Sequence, residues 1–359
     1  SYTVVDYGYS GINFVKLYYT LQTASPYTYT LYITTTSNPI SFTAVSEGKY
    51  GFKIVAYDYA GNTDEQDPPS SSSPPESTTT VDLTAPQVNN QQTGDDVWRK
   101  EPKPDGYAVY FNDSGSGLDS AQYIIRAGPN ETDDVLKDWT YIFQGLNQTS
   151  YDQNWQIDFD ACKSSWNYIS VRVWDIAGKT TTVNNVFYVK KDTEGPTISY
   201  NEFSSGGDDT WRNTARVGGY NVDFYDGLSW LSKAEYFVGT SSIFATSETI
   251  LGWQTIATAI SSPSYKTDWQ VNFASLVEYT TNYVHIRLTD IAGNISTYYV
   301  FYVLKDTTPP TITNGEENQD SNWRVLSRNY NVDFFDYKSK IDSIKYRAFA
   351  STGGVGPIS

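Results

Sequence analysis

The hydrophobic positions near residue 290 alternate with polar and aromatic ones. Val284, Ile286 and Leu288 recur at every second position, the period expected of a half-buried strand. The sequence AGN at 292–294 tolerates left-handed backbone angles, so it predicts a tight turn into a second strand. The segment KDTTPPTI at 305–312 then ends the pattern with prolines. This stretch therefore predicts a β-hairpin followed by a linker that prolines restrict.

The same pattern recurs along the chain. DIAGK occupies 175–179, and the looser YDYAGN occupies 57–62. Asp82, Asp192 and Asp306 each stand four residues before a proline that opens a unit. A repeat of about 110 residues with many turn signals and no helical periodicity predicts an all-β fold of tandem antiparallel β-sandwiches.

The repeat register divides the chain into four parts. We predict a unit at 1–82 that lacks its first strand, complete units at 83–192 and 193–306, and the N-terminal part of a further unit at 307–359. Two interpretations of the incomplete ends stay open: the chain is a window on a longer array, or neighbouring copies complete the ends and form a fibre.

A Pro- and Ser-rich insertion at 63–79 interrupts the first unit. Prolines and serines at this density favour extended, solvated chain. We therefore expect a mobile surface loop, and the alternative is a glycosylated or partner-binding spacer.

The combination of DIAGN, an alternating strand and KDTTPPTI resembles the bacterial immunoglobulin-like (Big-type) repeats of large extracellular and cell-surface proteins. The segment DSGSGLDSAQY at 113–123 shares the likeness, which covers nearly the whole chain. The resemblance implies tandem immunoglobulin-like sandwiches in a linear array, working outside the cell as a stalk, adhesin or filament component. It implies little about activity.

The composition narrows the chemistry. The chain has one His, one Cys and no Met, so an intrachain disulfide is excluded. Cys162 has no histidine in its unit to activate it, and His285 falls on a predicted solvent-facing stripe. There is no Gly-rich phosphate loop after a strand and no Cys/His cluster for zinc. We predict a protein that is not an enzyme, with no catalytic residue and no organic cofactor.

The formal net charge of −16 argues against nucleic acid as a partner, because phosphate backbones select clustered Lys and Arg. No run of about 18 apolar residues is present, so this segment is not expected to span a membrane. Acidic surfaces bind cations instead.

Calcium is the cofactor that the sequence favours, because hard cations select several carboxylate and carbonyl oxygens on loops. If sandwiches stack end to end, linker, hairpin and loop carboxylates converge at each junction. The alternative is that a linker Asp only caps a turn. The predicted ligands are Asp82, Asp192 and Asp306 in the linkers, Asp175 and Asp290 in the hairpins, and Asp95, Asp96, Asp208 and Asp209 in the loops.

One aromatic group does not follow the repeat. Trp174 falls on the outward stripe with Tyr168 and Arg172, which suggests a sugar-stacking or protein-contact platform. The alternative is an aromatic that covers a domain junction. The function that fits the whole chain is a structural or adhesive repeat region of an exported surface or filament protein. Its partners would be copies of itself or further repeats, a surface polysaccharide, or a partner cell. Carbohydrate-binding modules, or the accessory region of a secreted hydrolase, are the other candidates.

Overall fold

The computed structural model describes residues 2–8, 10–92, 94–203, 206–315, 323 and 325–348. The chain packs as two units, one formed by 1–96 with 101–190 and the other by 97–100 with 191–359. The described residues form 22 strands and two short 3-10 helices. No helix among them is long and apolar enough to span a membrane.

The first sequence repeat forms one four-stranded sheet. Its spatial order is β2-β1-β3-β4. The central pair β1 and β3 contributes the buried Val15, Leu17, Val55 and Ala56. The strands are β1 Ile12–Thr20, β2 Thr30–Thr35, β3 Gly48–Asp58 and β4 Ser77–Val81.

The second repeat is a sandwich of a three-stranded and a five-stranded sheet. The sheet orders are β10-β7-β5 and β6-β12-β11-β8-β9. The strands are β5 Gln87–Asn90, β6 Asp95–Arg99, β7 Val109–Asn112, β8 Leu118–Arg126, β9 Val135–Phe143, β10 Ser150–Tyr151, β11 Ser165–Asp175 and β12 Thr180–Lys191.

The third repeat copies this arrangement. Its sheet orders are β13-β15-β18 and β14-β20-β19-β16-β17, with β14 parallel to β20 and antiparallel pairing between β20, β19, β16 and β17. The strands are β13 Thr197–Asn201, β14 Asp208–Arg212, β15 Val222–Tyr225, β16 Leu231–Gly239, β17 Thr249–Ser262, β18 Ser264–Tyr265, β19 Thr281–Asp290 and β20 Ile295–Lys305. The 3-10 helices are Thr246–Glu248 and Phe273–Ser275.

The predicted period of two is confirmed in the third sandwich. Val284, Ile286 and Leu288 on β19 have no exposed surface. The core also contains Tyr220, whose ring stacks on Phe301 with centroids 4.4 Å apart. The second sandwich has the same stack, because Tyr107 and Phe187 hold the equivalent positions at 4.6 Å. The predicted all-β, immunoglobulin-like sandwich fold is therefore confirmed.

The fourth part contributes a two-stranded sheet of β21 Thr311–Asn314 and β22 Val332–Phe335. Its pairing runs from Thr311 opposite Phe335 to Asn314 opposite Val332. Most of the segment DSNWR at 320–324 lies outside the described residues.

The insertion at 63–79 is mostly exposed, but part of it contacts the first sheet, and residues 77–79 belong to β4. The carboxylate of Asp67 accepts hydrogen bonds from Lys16, Tyr18 and Tyr57. A second contact is made by Lys53, whose ammonium lies 2.8 Å from Glu65. Polar side chains on the outward face of the sheet therefore hold the insertion, a contact that composition alone does not reveal.

Candidate metal sites

Three aspartate carboxylates meet at two places in the chain. The first cluster is Asp82, Asp113 and Asp175, and the second cluster is Asp192, Asp226 and Asp290. In each cluster one oxygen from every residue lies within 4.8 Å of the others. Ligand oxygens at about 2.4 Å from one cation lie at most about 4.8 Å apart, so the spacing fits a shared ion.

Each cluster draws its residues from three separate elements. The linker supplies Asp82 or Asp192 directly after the last strand of the preceding repeat. A strand of the small sheet supplies the second residue, because Asp113 follows β7 and Asp226 follows β15. The hairpin strand supplies the third, because β11 ends at Asp175 and β19 at Asp290. The repeat of these three elements explains why the cluster appears twice.

Backbone N–H groups hold the carboxylates of the second cluster. Asp192 accepts from Glu194 N–H at 3.0 Å through Oδ1 and from Ser229 N–H at 3.0 Å through Oδ2. Asp226 Oδ1 accepts from Trp230 N–H at 2.7 Å. Asp192, Asp226 and Asp290 are 0%, 5% and 2% exposed, respectively. These Asx-type turns fix the carboxylates before any ion binds.

The hairpin turn completes the second cluster. Asp290 Oδ1 accepts from Asn294 N–H, and Asp290 Oδ2 accepts from the Asn294 side-chain amide, both at 2.8 Å. The same amide donates to the main-chain carbonyl of Asp192 at 3.0 Å. Gly293 has φ +90°, the left-handed conformation that the AGN turn predicts.

The first cluster has the same framework with one difference. Asp82 Oδ2 accepts from Ser116 N–H at 2.6 Å, and Asp113 Oδ1 accepts from Gly117 N–H at 2.7 Å. Asp175 Oδ1 accepts from Lys179 N–H at 2.7 Å. Asp175 is 2% exposed, and its Oδ2 atom has no hydrogen-bond partner within the described part of the chain. A buried, unpartnered carboxylate oxygen calls for a ligand.

Crowding of like charge perturbs the clusters. Burial raises the pKa of Asp175, and the negative charges of Asp82 and Asp113 raise it further. In the second cluster burial raises the pKa of Asp226 and of Asp290, and neighbouring carboxylates add to both shifts. Both clusters therefore concentrate negative charge that a bound cation would neutralise.

The donor set decides which cation fits. Both clusters offer only oxygen atoms, from carboxylates fixed in loops and turns, which suits Ca²⁺. They contain neither the sulfur nor the imidazole ligands typical of zinc. Backbone carbonyls and water would complete the six to eight oxygens that calcium prefers.

The structure brings together four of the predicted ligands and adds two. Asp82 meets Asp175, and Asp192 meets Asp290, as the repeat register predicted. The sequence prediction missed Asp113 and Asp226. A signal for them was present, because a strand closing on Asp recurs at the same register as YAVYFND, YNVDFYD and YNVDFFD.

Within the described residues the four loop aspartates lie in neither cluster, so their role as calcium ligands stays a prediction. Asp208 forms an ion pair with Arg212, with Nε 2.5 Å from Oδ2. The other three contact tyrosine and lysine side chains near β6 and β14. Asp95 accepts from Tyr107 at 3.4 Å, Asp96 accepts from Tyr188 and Lys190, and Asp209 accepts from Tyr302.

Part of the same framework occurs in the last repeat. Asp306 accepts from Thr308 N–H at 3.0 Å and from Ser339 N–H at 3.3 Å, as the other linker aspartates do. Asp336 Oδ1 accepts from Lys340 N–H at 2.7 Å. Within the described ranges Asp306 does not belong to a group of three metal-ligating side chains.

The predicted aromatic platform is divided in the structure. The Arg172 guanidinium lies 4.1 Å from the Trp139 ring centre and 4.9 Å from that of Trp174. Tyr168 instead contacts Tyr188, with ring centroids 6.4 Å apart. Arg172 therefore covers one face of the Trp174 ring.

The single histidine and the single cysteine of the chain are both buried. His285 is 1% exposed, so its placement on a solvent-facing stripe was wrong. The loop after β16 covers it and brings in the ring of Phe244, 5.6 Å away. Cys162 is 3% exposed and lies in the core of the second sandwich.

Comparisons with known proteins give structural likenesses alone. No protein-family model matches the chain, and no curated protein matches it. A Ca²⁺-stabilized adhesin of an Antarctic bacterium that binds ice is 14% identical over 84% of this chain and 68% of its own, with a TM-score of 0.30. Drosophila N-cadherin EC1-4 is 11% identical over 82% of this chain and 66% of its own, also with a TM-score of 0.30.

Another likeness is to the fibronectin(III)-like modules of Clostridium thermocellum CbhA. These are 9% identical over 61% of this chain and 94% of their own, with a TM-score of 0.22. At such TM-scores these likenesses carry no argument about function. The fold assignment rests on the strand order of this chain itself.

Proposed function

We propose that this chain is a structural or adhesive repeat region outside the cell, in which bound Ca²⁺ stiffens the linkers between sandwiches. The protein carries out no reaction of its own. It sets the spacing and the orientation of the repeats along the array. Its neighbours are further repeats or copies of the same chain. A partner surface would be contacted by the array as a whole.

The observation that carries the proposal is the orphaned oxygen of Asp175. This Oδ2 atom is buried among two further carboxylates and has no hydrogen-bond partner in the described structure. Leaving such a group without a ligand costs about 1–3 kcal/mol, and more when it is charged. A divalent cation in the first cluster would satisfy the oxygen and cancel most of the local charge. The second cluster repeats the geometry.

Calcium would act by joining segments that are far apart in the chain. One ion in the second cluster would hold the linker at Asp192, the end of β15 at Asp226 and the hairpin at Asp290. The linker could not then swing away from the sandwich that follows it. Pro196, four residues after Asp192, restricts the same linker through its fixed φ.

Thermal unfolding with and without calcium tests the proposal. The wild-type chain should melt at a higher temperature in excess Ca²⁺ than in chelator, because an ion bound only by the folded state stabilises it. The variant Asp175→Asn with Asp290→Asn should lose most of that difference.

The matched control is Asp209→Asn, which removes a carboxylate from the same repeat without touching either cluster. It should keep the full calcium-dependent shift. Equal melting temperatures of the wild-type chain in calcium and in chelator would contradict the proposal, and so would a shift that survives in the double variant.

A further inference from the structure

We propose that a groove on the outward face of the second sandwich binds a short segment of a neutral glycan. The groove has a volume of about 360 Å³, which falls within the range of small-ligand sites. Its lining includes two aromatic side chains, Tyr141 and Trp174, and the polar side chains of Asp119, Ser120 and Asn147. This inference concerns a partner of the chain and does not depend on calcium.

Strand pairing explains why a groove forms at this place. Trp174 on β11 pairs with Ser120 on β8, and Tyr141 on β9 pairs with Gln122, two positions further along β8. Alternate residues of a strand and their cross-strand partners share one face of a sheet, so all four side chains lie on the same side. Ser120 is the smallest of the four, and it leaves a depression between two aromatic walls.

The third sandwich has the same strands with different side chains on this face. The equivalent positions carry Lys233, Thr289 and Thr255, none of which has an aromatic ring. Lys233 extends along the face to Glu235, with its ammonium 2.6 Å from the carboxylate. The aromatic walls therefore belong to the second sandwich and are not required by the shared fold.

Both aromatic rings present surface to a ligand. Tyr141 is 50% exposed, and Trp174 is half-buried. The Arg172 guanidinium covers one face of Trp174, 4.9 Å from the ring centre, and the ring also lines the groove. Exposed aromatic surface beside polar groups is typical of a binding site. The electron-rich face of such a ring attracts the polarised C–H groups of a pyranose.

The main chain fixes the polar wall of the groove. Leu146 N–H donates to the Asp119 carbonyl at 3.0 Å, and Asn147 N–H donates to the Leu118 carbonyl at 2.9 Å. The loop after β9 is therefore attached to the start of β8. A groove that is formed in advance loses less conformational entropy when a ligand binds.

The charge of the groove favours a neutral ligand. The Arg172 guanidinium lies on the same face of the sheet and offsets the charge of Asp119. Asp175 also borders the groove, but its Oδ1 accepts from Lys179 N–H and its Oδ2 is buried. A hydroxyl group can donate to the Asp119 carboxylate, and another can accept from the Asn147 amide. A sugar supplies both, together with an apolar face for the rings.

We expect a glycan whose ring hydroxyls are equatorial. Such a pyranose presents flat C–H faces to an aromatic ring and directs its hydroxyls sideways to polar groups. Chains of β-1,4-linked glucose, xylose or N-acetylglucosamine have this shape and carry no charge.

Isothermal titration of the whole chain with cellohexaose, xylohexaose and chitohexaose tests the proposal. We expect at least one of the three to bind. Tyr141→Thr should weaken that binding by about two- to tenfold, and Trp174→Thr by at least as much. Ser120→Lys places the lysine of the third sandwich in the groove and should abolish binding. Far-ultraviolet circular dichroism confirms that each variant is folded.

The matched control is Trp166→Thr, because Trp166 is a 38% exposed aromatic of the same sandwich that does not line the groove. It should bind the glycan as the wild type does. A loss of affinity in Trp166→Thr equal to that in Tyr141→Thr would place the binding site elsewhere and overturn the proposal.

Three further results would contradict the inference. One is that none of the three oligosaccharides binds, and another is that binding keeps its wild-type affinity in Tyr141→Thr and Ser120→Lys. The third is that hexalysine binds in their place and is weakened by the same substitutions, which would assign the groove to a cationic peptide. None of these results bears on calcium binding, so this inference and the proposed function can fail separately.

Discussion

His285 Nε2 lies 3.0 Å from the main-chain carbonyl of Ser241. A carbonyl oxygen only accepts, so Nε2 carries a proton and donates it, and Nδ1 is the other ring nitrogen. That Nδ1 atom is buried and without a partner in the described structure. Phe237, Phe244 and Tyr299 surround the ring, so a charged imidazole has no carboxylate to pair with there.

This environment predicts acid sensitivity of the third sandwich. Burial lowers the pKa of His285 below its ordinary value of 6.5. Because the folded pKa is the lower one, the unfolded chain takes up the proton first, and stability falls as pH drops below about 6.5. Denaturant unfolding between about pH 7.5 and about pH 5 should show this loss.

The control for that loss is His285→Ser, since Ser170 holds the equivalent position in the second sandwich. The variant should unfold with a weaker pH dependence over the same range. An unchanged pH dependence in His285→Ser would assign the effect to other groups.

The outward faces of the two sandwiches differ at Glu235, which pairs with Arg287 and, at 2.6 Å, with Lys233. Arg287 donates from Nη2 to Glu235 at 2.7 Å, whereas Arg172 donates to the neutral Gln122 at 2.8 Å. Glu235 is 6% exposed, so Glu235→Gln should destabilise the third sandwich by about 1–2 kcal/mol. The reverse change, Gln122→Glu, should cost the second sandwich less, because the new carboxylate at this equally buried position would lie beside Arg172. Urea unfolding of both variants measures the difference, and equal losses would contradict it.

The insertion at 63–79 should need the Asp67 carboxylate to stay attached to the first sheet. Burial alone would raise the pKa of Asp67, but hydrogen bonds from Lys16, Tyr18 and Tyr57 lower it to about 2. The attachment is therefore complete above about pH 4 and is lost as pH falls toward about 2. Asp67→Asn should speed proteolytic cleavage within the insertion at neutral pH.

Glu76→Gln is the control for that cleavage, because Glu76 is 52% exposed and lies 3.5 Å from its partner Lys53. It should be cut at nearly the wild-type rate. Equal cleavage rates for Asp67→Asn and the wild type would show that Asp67 does not hold the insertion.

Each of the two sandwiches has an equivalent buried asparagine beside its last strand. Asn282 is fully buried, and its amide donates to the carbonyls of Val277, Thr280 and Val303. Asn282→Ala leaves these carbonyls without a donor and should cost about 2–4 kcal/mol. Asn167 makes the equivalent contacts, so Asn167→Ala should lower the stability of the second sandwich by a similar amount. Calorimetry that found either variant as stable as the wild type would contradict this.

The sequence was most informative where equivalent residues recur from one repeat to the next. Alternation in β19 predicted its buried face, because each core position of a strand is separated by one outward residue. The repeat register also placed Asp192 with Asp290, since equivalent residues of homologous units take equivalent positions. Asp226 carried the same kind of signal in its recurring strand end. It was missed because the sequence pattern does not show the topology that brings this strand end beside the linker.

The sequence was least informative where a contact occurs only once. His285 follows the outward period of β19, yet the loop that covers it has no counterpart that would predict its path. Asp67 lies in a segment whose composition suggests disorder, and its three donors come from distant strand positions. Arg172 and Trp174 share a face as predicted, but which ring faces are already covered depends on side-chain packing across neighbouring strands.

The most direct test of calcium binding is anomalous diffraction from crystals grown with Ca²⁺ or with a lanthanide in its place. We predict a peak between Asp192, Asp226 and Asp290, with carboxylate oxygens at about 2.3–2.6 Å, and a second peak in the first cluster. Ions found only at exposed carboxylates, with both clusters unoccupied at saturating calcium, would contradict it.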